Sequence, residues 1–165
     1  MTTGPRITLL LHALLLLPAA ANAQVQGMET PANHFNDPFV QVTGGLPDCP
    51  VPAGPALTLA EARAQSHWRS ERGTSCYQSG RCRLPNSYLY DQEIIPRVRK
   101  AILSDGRFAQ TSVWAEGQRR WVWLKGCVGS AEQSSALEQL VRGIDDVEAV
   151  VNELVVAAPP GSGAR

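Results

Sequence analysis

The sequence predicts an α+β fold in which helices cover one face of a small sheet, forming a two-layer sandwich. Three observations support this prediction. The second half of the chain contains segments with the apolar spacing of a helix, two strands, a helix and a strand, in that order. Polar cap residues and glycines separate these segments. A short polar turn joins the first two strands, as in a β-hairpin.

The first 23 residues have the organisation of a secretory signal peptide. Arg6 precedes the apolar run Ile7–Leu17, and the segment ends with the A-x-A site Ala21–Ala23. The apolar run is shorter than the roughly 20 residues that a transmembrane helix needs. We therefore expect cleavage after Ala23 and no transmembrane span in the processed chain. An uncleaved membrane anchor is the alternative.

A proline-rich stretch and one helix precede the regular half of the chain. Residues 37–55 contain five prolines, so this stretch should be extended or loop-like rather than helical. Thr58 and Glu61 have the spacing of a capping box, in which each side chain bonds a backbone amide of the other residue. They predict a helix from about Leu59 to Arg72.

The regular half begins with a helix that Asp91 can cap and that runs to about Leu103. A hairpin follows it, with strands at residues 111–116 and 119–128 and a turn at residues 116–118. The predicted apolar stripe of the helix consists of Ile94, Ile95, Val98, Ala101 and Ile102.

A second helix and a third strand complete the predicted sandwich. Ser130 and Gln133 form another capping box, and Gly143 closes the helix. The strand covers residues 147–156. Gly126 lies on the inner face of the hairpin and has no side chain, so a helix can approach the sheet closely there. The other residues expected to meet the helices are Val113, Val122, Leu124, Val128 and either Val150 or Val151.

Two motifs in this half resemble the BON domain family. The second hairpin strand reads V-x-L-x-G-x-V over residues 122–128 and is followed by Ser130, and Gly143 precedes V-x-N-x-L-x-V over residues 150–156. The resemblance implies an αββαβ fold and a bacterial envelope setting; with the signal peptide, it implies the periplasm. It also implies a non-enzymatic role, usually described as binding phospholipid membranes or supporting envelope proteins.

The predicted divisions are a signal peptide (1–23), a flexible arm (24–36), a Cys/Pro-rich extension with one helix (37–90), a BON-like domain (91–156) and a disordered tail (157–165).

Three tryptophans lie on the sheet face opposite the helices. Trp114, Trp121 and Trp123 share this face with Cys127, because alternate residues of a strand point the same way. In one interpretation, which we favour, the N-terminal extension folds back and buries them. In the other, they meet a membrane, where tryptophan prefers the interface.

The four cysteines predict two disulfides, because an even number in an exported chain is typical of a disulfide framework. Cys76 and Cys82 are close enough in sequence to close a small loop, which leaves Cys49 to link the extension to Cys127 on the tryptophan face. Four cysteines allow three connectivities, and we prefer this one. The spacing contains no C-x2-C pair, so no metal site is predicted.

The charge distribution suggests a basic edge. The chain has 15 basic and 15 acidic residues, but residues 61–125 contain twelve basic and six acidic ones, and residues 126–165 contain two and six. Such an edge suits an anionic phospholipid surface or an acidic envelope protein, whereas a solvated helix face is the ordinary alternative. The candidate binding residues are Arg97, Lys100, Arg107, Arg119 and Arg120.

The residues predict no enzyme and no cofactor. After processing, His67 is the only histidine in a segment expected to fold, and its neighbour Ser66 does not face it on a helix. No glycine-rich phosphate loop is present, and the near-zero net charge of an exported chain does not suit nucleic acid. A redox role for Cys76 and Cys82 is a third hypothesis after lipid and protein binding, although the pair lacks C-x-x-C spacing. The oligomeric state is left open.

Overall fold

The computed structural model describes residues 1, 29–72 and 74–158. It contains every predicted helix and strand, and it adds one strand, one short helix and one 3-10 turn that were not predicted. Residues 2–23 of the predicted signal peptide, residues 24–28 of the arm and the tail beyond residue 158 lie outside the described residues. The elements are β1 (Phe39–Gln41), α1 (Leu59–Glu71), α2 (Thr74–Gln78), α3 (Tyr88–Ser104), a single 3-10 turn (Gly106–Phe108), β2 (Ser112–Gln118), β3 (Trp121–Val128), α4 (Ala131–Arg142) and β4 (Ala149–Val156).

The four strands form one sheet in the order β1-β2-β3-β4, with helices α3 and α4 on one face. Strands β2 and β3 form the antiparallel hairpin, and α4 is the crossover that leads to β4, which is parallel to β3. This arrangement confirms the two-layer α+β sandwich. The added strand, β1, pairs with the outer edge of β2 over three residues and belongs to the stretch that was predicted only to be extended.

The hydrophobic core lies between the sheet and the two helices. All the predicted inner-face side chains are buried, and Val150 rather than Val151 completes the set. Burial of each such side chain stabilises the fold by about 1.5–3 kcal/mol. The core side chains from the strands are Val113, Val122, Leu124, Val128 and Val150, and those from the helices are Ile94, Ile95, Val98, Ile102, Leu137 and Val141.

A side chain of helix α3 packs tightly against the sheet at Gly117 rather than at Gly126. A Cβ atom on Gly117 would lie 2.8 Å from the side chain of Ile95 in α3. Gly126 has a φ of 112°, and a Cβ atom there would clash with the carbonyl oxygen of Ser112 on the neighbouring strand. The predicted helix contact at Gly126 is therefore wrong, and this glycine is needed by the local backbone of the hairpin.

The hairpin turn consists of Arg119 and Arg120, not of residues 116–118 as predicted. Both arginines have positive φ values, 55° and 71°, which side chains other than glycine adopt at a cost. The carboxylate of Asp91 compensates because it accepts a hydrogen bond from each arginine amide, at 2.5 and 2.7 Å. Asp91 is therefore not the cap of α3, which begins at Tyr88.

The caps of the other helices lie close to their predicted positions. At α1 both halves of the Thr58–Glu61 capping box are present. At α4 the Ser130 side chain accepts from the Gln133 amide, but the Gln133 side chain bonds the amide of Gly129 instead of that of Ser130. Gly143 is the C-cap of α4.

Candidate functional site

The extension covers the tryptophan face of the sheet. A disulfide joins Cys49 to Cys127, with 5.8 Å between their Cα atoms. Next to it, the Lys125 ammonium donates to the carbonyl oxygen of Ala53 at 3.1 Å. Trp114 is only 5% exposed under this cover. The preferred interpretation of the tryptophan face, packing under the extension, is thus confirmed at this strand.

A stack of aromatic rings and guanidinium groups fixes α1 to the same face. The Arg72 guanidinium lies 4.0 Å from the Trp68 ring centroid and 4.5 Å from that of Trp121. Trp121 in turn contacts Trp123, with 5.9 Å between ring centroids. An arginine between two aromatic faces is held by cation–π attraction of about 0.5–2 kcal/mol per contact. Trp121 and Trp123 are consequently half-buried.

A buried ion pair secures the other side of α1. Arg69, 2% exposed, donates to Asp37 at 2.7 Å, and its guanidinium lies 3.9 Å from the Phe35 ring. Burial raises the pKa of Asp37, although the hydrogen bond and charge of Arg69 act in the opposite direction. Removal of either partner would leave an uncompensated buried charge.

Arg119 and Arg120 are not part of an exposed basic edge. Arg119 is 5% exposed, and its guanidinium donates to the Arg72 carbonyl oxygen at 2.6 Å and to the Ser87 hydroxyl. Arg120 is half-buried and donates to the carbonyl oxygen of Asp146 at 2.9 Å. Both side chains therefore link the extension to the hairpin. Little of either guanidinium group remains accessible to an external anion.

The buried carboxyl of Asp91 has a perturbed protonation equilibrium. Burial raises the pKa of Asp91 to about 6, and the amide hydrogen bonds from Arg120 and Arg119 oppose this shift. The nearby charge of Asp37 raises the pKa further. The turn that carries both arginines thus depends on a carboxyl whose pKa is raised to about 6.

The other candidate cations lie in the second half of α3 and in the 3-10 turn that follows it. Arg97 is 35% exposed and bonds Asp146 at 3.0 Å, and Arg107 pairs with Asp105. Lys100 is exposed and, among the described residues, has no ion pair; its neighbour Arg99 shares both properties.

An exposed leucine lies beside these free cations. Leu103 is 51% exposed, and it is three residues after Lys100 and four after Arg99, so the three share one helix face. A shallow groove of about 370 Å³ between α3 and the end of α4 is lined by Lys100, together with Arg97 and Gly143. We call Arg99, Lys100 and Leu103 the α3 patch.

A second groove lies where the extension stops short of β4. It has a volume of about 250 Å³ and is lined by residues 50–53 on one side and by Glu153 and Val155 on the other. Val51 and Val155 are exposed there. No residue of the α3 patch lines this groove.

Neither a metal centre nor a membrane-spanning helix is found in the described part of the chain. Within residues 29–72 and 74–158, no three His, Cys, Asp or Glu side chains are arranged to hold a metal ion. No helix in these ranges is long and apolar enough to cross a bilayer.

Comparison with known families identifies the regular half. Residues 90–158 match the family model of the BON domain. Over these residues the chain is identified as a BON domain. The match extends from α3 to just beyond β4, so β1, α1 and α2 lie outside it. The resemblance inferred from the two sequence motifs is thereby confirmed.

The BON domain indicates a coarse functional class. It suggests a non-enzymatic module associated with membranes or phospholipids, and BON-domain proteins are often periplasmic or envelope-associated. A search of curated proteins finds no match to the chain.

Several residues of the interface between extension and BON domain were not singled out in the sequence. Asp91 was predicted as a helix cap, because a capping aspartate and an aspartate that holds a distant turn look the same in sequence. Trp68 on α1 and Arg72 at its C-cap are four residues apart in sequence, which is the one local signal of the aromatic–guanidinium stack. Their partner Trp121 lies far along the chain, so only the fold brings the three together.

Proposed function

We propose that the BON domain docks reversibly on anionic phospholipid through the α3 patch, and that it does so in the periplasm. The observation that carries this proposal is the half-exposed Leu103 beside two cations, Arg99 and Lys100, that have no ion pair among the described residues. An apolar side chain flanked by cations suits the boundary between acyl chains and anionic headgroups.

The expected affinity is modest. Each cation near an anionic surface contributes about 1 kcal/mol, and burial of one leucine side chain adds about 1.5–3 kcal/mol when complete. Arg97 and Arg107 flank the patch but are partly neutralised by their own carboxylate partners. A few kcal/mol in total predicts salt-sensitive, reversible association rather than permanent anchoring.

The tryptophan face is not the docking surface in this proposal. Trp114 is buried beneath the extension, and Trp121 is stacked against Arg72. Exposure of these rings to a membrane would require the extension to leave the sheet, and the Cys49–Cys127 disulfide opposes that movement.

Liposome flotation tests the proposal. The oxidised chain from Gln24 onward is mixed with phosphatidylglycerol/cardiolipin vesicles at low and at physiological salt. We expect co-flotation at low salt that weakens at physiological salt, and at least a tenfold loss of partitioning in R99Q/K100Q.

A matched control removes the same charge elsewhere. Arg63 on α1 and Arg81 after α2 are exposed and distant in sequence from the patch. R63Q/R81Q should float like the wild type. An equal loss of partitioning in both double variants would show that binding depends only on net charge. That result would contradict a defined patch.

A protein partner is the second candidate, favoured by the groove between residues 50–53 and β4. Its exposed Val51 and Val155 offer two apolar side chains, whereas the α3 patch offers one, Leu103. No flotation at either salt would discard lipid docking, and cross-linking in envelope extracts would then be the route to a protein partner.

A further inference from the structure

The Cys76–Cys82 disulfide lies against the guanidinium of Arg120. We propose that this disulfide is an exchangeable redox site that reacts with small thiols or with a dithiol of a thiol–disulfide oxidoreductase, whereas Cys49–Cys127 is structural. The first is flanked by a cation and the second by carbonyl oxygens, and this contrast carries the inference.

Arg120 is positioned to stabilise a thiolate. Its Nη1 lies 3.0 Å from Cys82 Sγ and 3.4 Å from Cys76 Sγ. The backbone of Arg120 is held by Asp91, and its Nε donates to the carbonyl oxygen of Asp146. Because the guanidinium is fixed before any reaction, little ordering is needed when negative charge develops on sulfur.

The surroundings also select which sulfur is attacked. Cys82 packs against the hydrophobic core and is the closer of the two to Arg120. Residues 78–81 of the loop are exposed, and Cys76 is not among the side chains packed on the core. An incoming thiolate is therefore expected to attack Cys76 Sγ, with Cys82 as the leaving group.

The other disulfide has the opposite environment. Cys49 Sγ lies 3.7 Å and 3.8 Å from the carbonyl oxygens of Pro50 and Ser112. Partial negative charge next to sulfur disfavours a thiolate, which slows exchange and favours the oxidised form. Its partner Cys127 is 4% exposed, so an attacking thiol has poor access from that side.

The exchange conserves atoms and electrons. A thiolate RS⁻ bonds to Cys76 Sγ, the Cys76–Cys82 bond breaks, and its electron pair leaves on Cys82 as a thiolate beside Arg120. A second RS⁻ attacks the sulfur of R in the mixed disulfide, which releases Cys76 as a thiolate and forms RSSR. The protein disulfide is reduced by two electrons and two external thiols are oxidised.

Equilibration in glutathione buffers at pH 7, followed by alkylation and peptide mass spectrometry, tests the proposal on the oxidised chain from Gln24 onward. We expect Cys76–Cys82 to become reduced at a lower ratio of squared GSH concentration to GSSG concentration than Cys49–Cys127. The ratios that reduce half of each disulfide should differ at least tenfold. R120Q should lower the reducibility of Cys76–Cys82 about tenfold, and R120K should restore most of it.

R81Q is the matched control, because the Arg81 guanidinium lies in the same loop but donates to the Ser79 hydroxyl. It should leave the equilibrium of Cys76–Cys82 unchanged. Equal reducibility of the two disulfides, or equal effects of R81Q and R120Q, would overturn the proposal.

A second measurement covers the case in which R120Q does not fold. In the wild-type chain with only Cys76–Cys82 reduced, the pH dependence of alkylation should give Cys82 a pKa below the ordinary thiol value of about 8.5. A pKa for Cys82 at or above that value would also overturn the proposal.

Discussion

At the scale of single residues, Asp91 connects α3 to the hairpin turn. The residues of this turn disfavour the backbone conformation that they adopt. Two arginines with positive φ form this turn, and one buried carboxylate accepts both of their amide hydrogens. No glycine or asparagine marks the turn, so sequence rules assign it to the nearby Gly117 instead. The carboxylate that makes the turn possible is 28 residues away, which is why the prediction is wrong.

The raised pKa of Asp91 gives a pH dependence of known sign. The ordinary pKa is 3.8 and the folded value is about 6, so the folded chain holds this proton more tightly than the unfolded chain. The contribution to the free energy of unfolding is complete below about pH 4 and is lost as the pH rises through about 6. Its size is about 3 kcal/mol at most.

Urea denaturation of the wild type and D91N between pH 4 and 8 measures this contribution. The wild-type free energy of unfolding, relative to D91N, should fall between pH 4 and 6 and then level off. D48N, which removes an exposed carboxylate, is the control. A wild-type advantage over D91N that does not change with pH would contradict the assignment.

Gly126 offers a second prediction at the residue scale. Its φ of 112° and the Ser112 carbonyl oxygen leave no room for a Cβ atom. G126A should lower the free energy of unfolding by about 2–4 kcal/mol. G106A, at a glycine with open space around it, should change it by about 0.5 kcal/mol or less. Similar losses in the two variants would show that the backbone of β3 tolerates a side chain at residue 126.

At the scale of elements, α1 is held on the sheet by side chains rather than by a continuous apolar face. Ala62 and Arg69 are its only buried residues. The Arg72 guanidinium between Trp68 and Trp121, together with the Asp37–Arg69 ion pair, replaces hydrophobic packing. Such an element should open locally before the BON domain unfolds.

Hydrogen exchange of R72Q tests this view of α1. Amides of Leu59–Glu71 should exchange at least tenfold faster than in the wild type, while those of β3 remain protected. R63Q, which changes an exposed arginine of the same helix, should not alter exchange. Unchanged protection of α1 in R72Q would mean that Trp68 and Trp121 hold the helix without the cation between them.

The elements also show which helix and strand boundaries can be predicted from the sequence. The boundaries of α1 and α4 follow from Thr58, Ser130 and Gly143, whose cap signals act within one turn of helix. Strand β1 is missed because its three residues follow a proline and gain their hydrogen bonds from β2, far along the chain. Local signals thus predict the elements, and distant partners decide the turn, the edge strand and the exact helix start.

At the scale of the whole molecule, the two disulfides differ in how much they stabilise the fold. Cys49–Cys127 spans a sequence separation of 78 and Cys76–Cys82 a separation of 6. In the chain-entropy model the long loop stabilises by about 4.5 kcal/mol and the short one by about 2.2 kcal/mol. Their preferred pairing was predicted correctly from loop length and from the position of Cys127 on the tryptophan face.

Paired serine variants test this difference by urea denaturation. C49S/C127S should lose about 2 kcal/mol more than C76S/C82S, and it should expose the tryptophans to acrylamide quenching. An equal loss in the two variants would contradict the assignment of Cys49–Cys127 as the link that holds the extension.

The candidate binding surface was only partly predictable. Lys100 and its neighbour Arg99 are recognisable as basic residues on the polar side of a helix. The use of Arg119 and Arg120 inside the molecule depends on contacts with the extension, for example the carbonyl oxygen of Arg72. Charge counting along the sequence cannot separate cations that face solvent from cations that join two parts of a fold.

The central claim is that the α3 patch, and not the tryptophan face, meets anionic lipid. The most direct measurement is paramagnetic broadening of ¹⁵N NMR signals by nitroxide-labelled phospholipid in phosphatidylglycerol nanodiscs. We expect selective broadening of amides from residues 97–107, with the indole signals of Trp121 and Trp123 unaffected. Broadening of those indole signals with residues 97–107 unaffected would contradict the claim. It would indicate that the tryptophan face contacts the membrane.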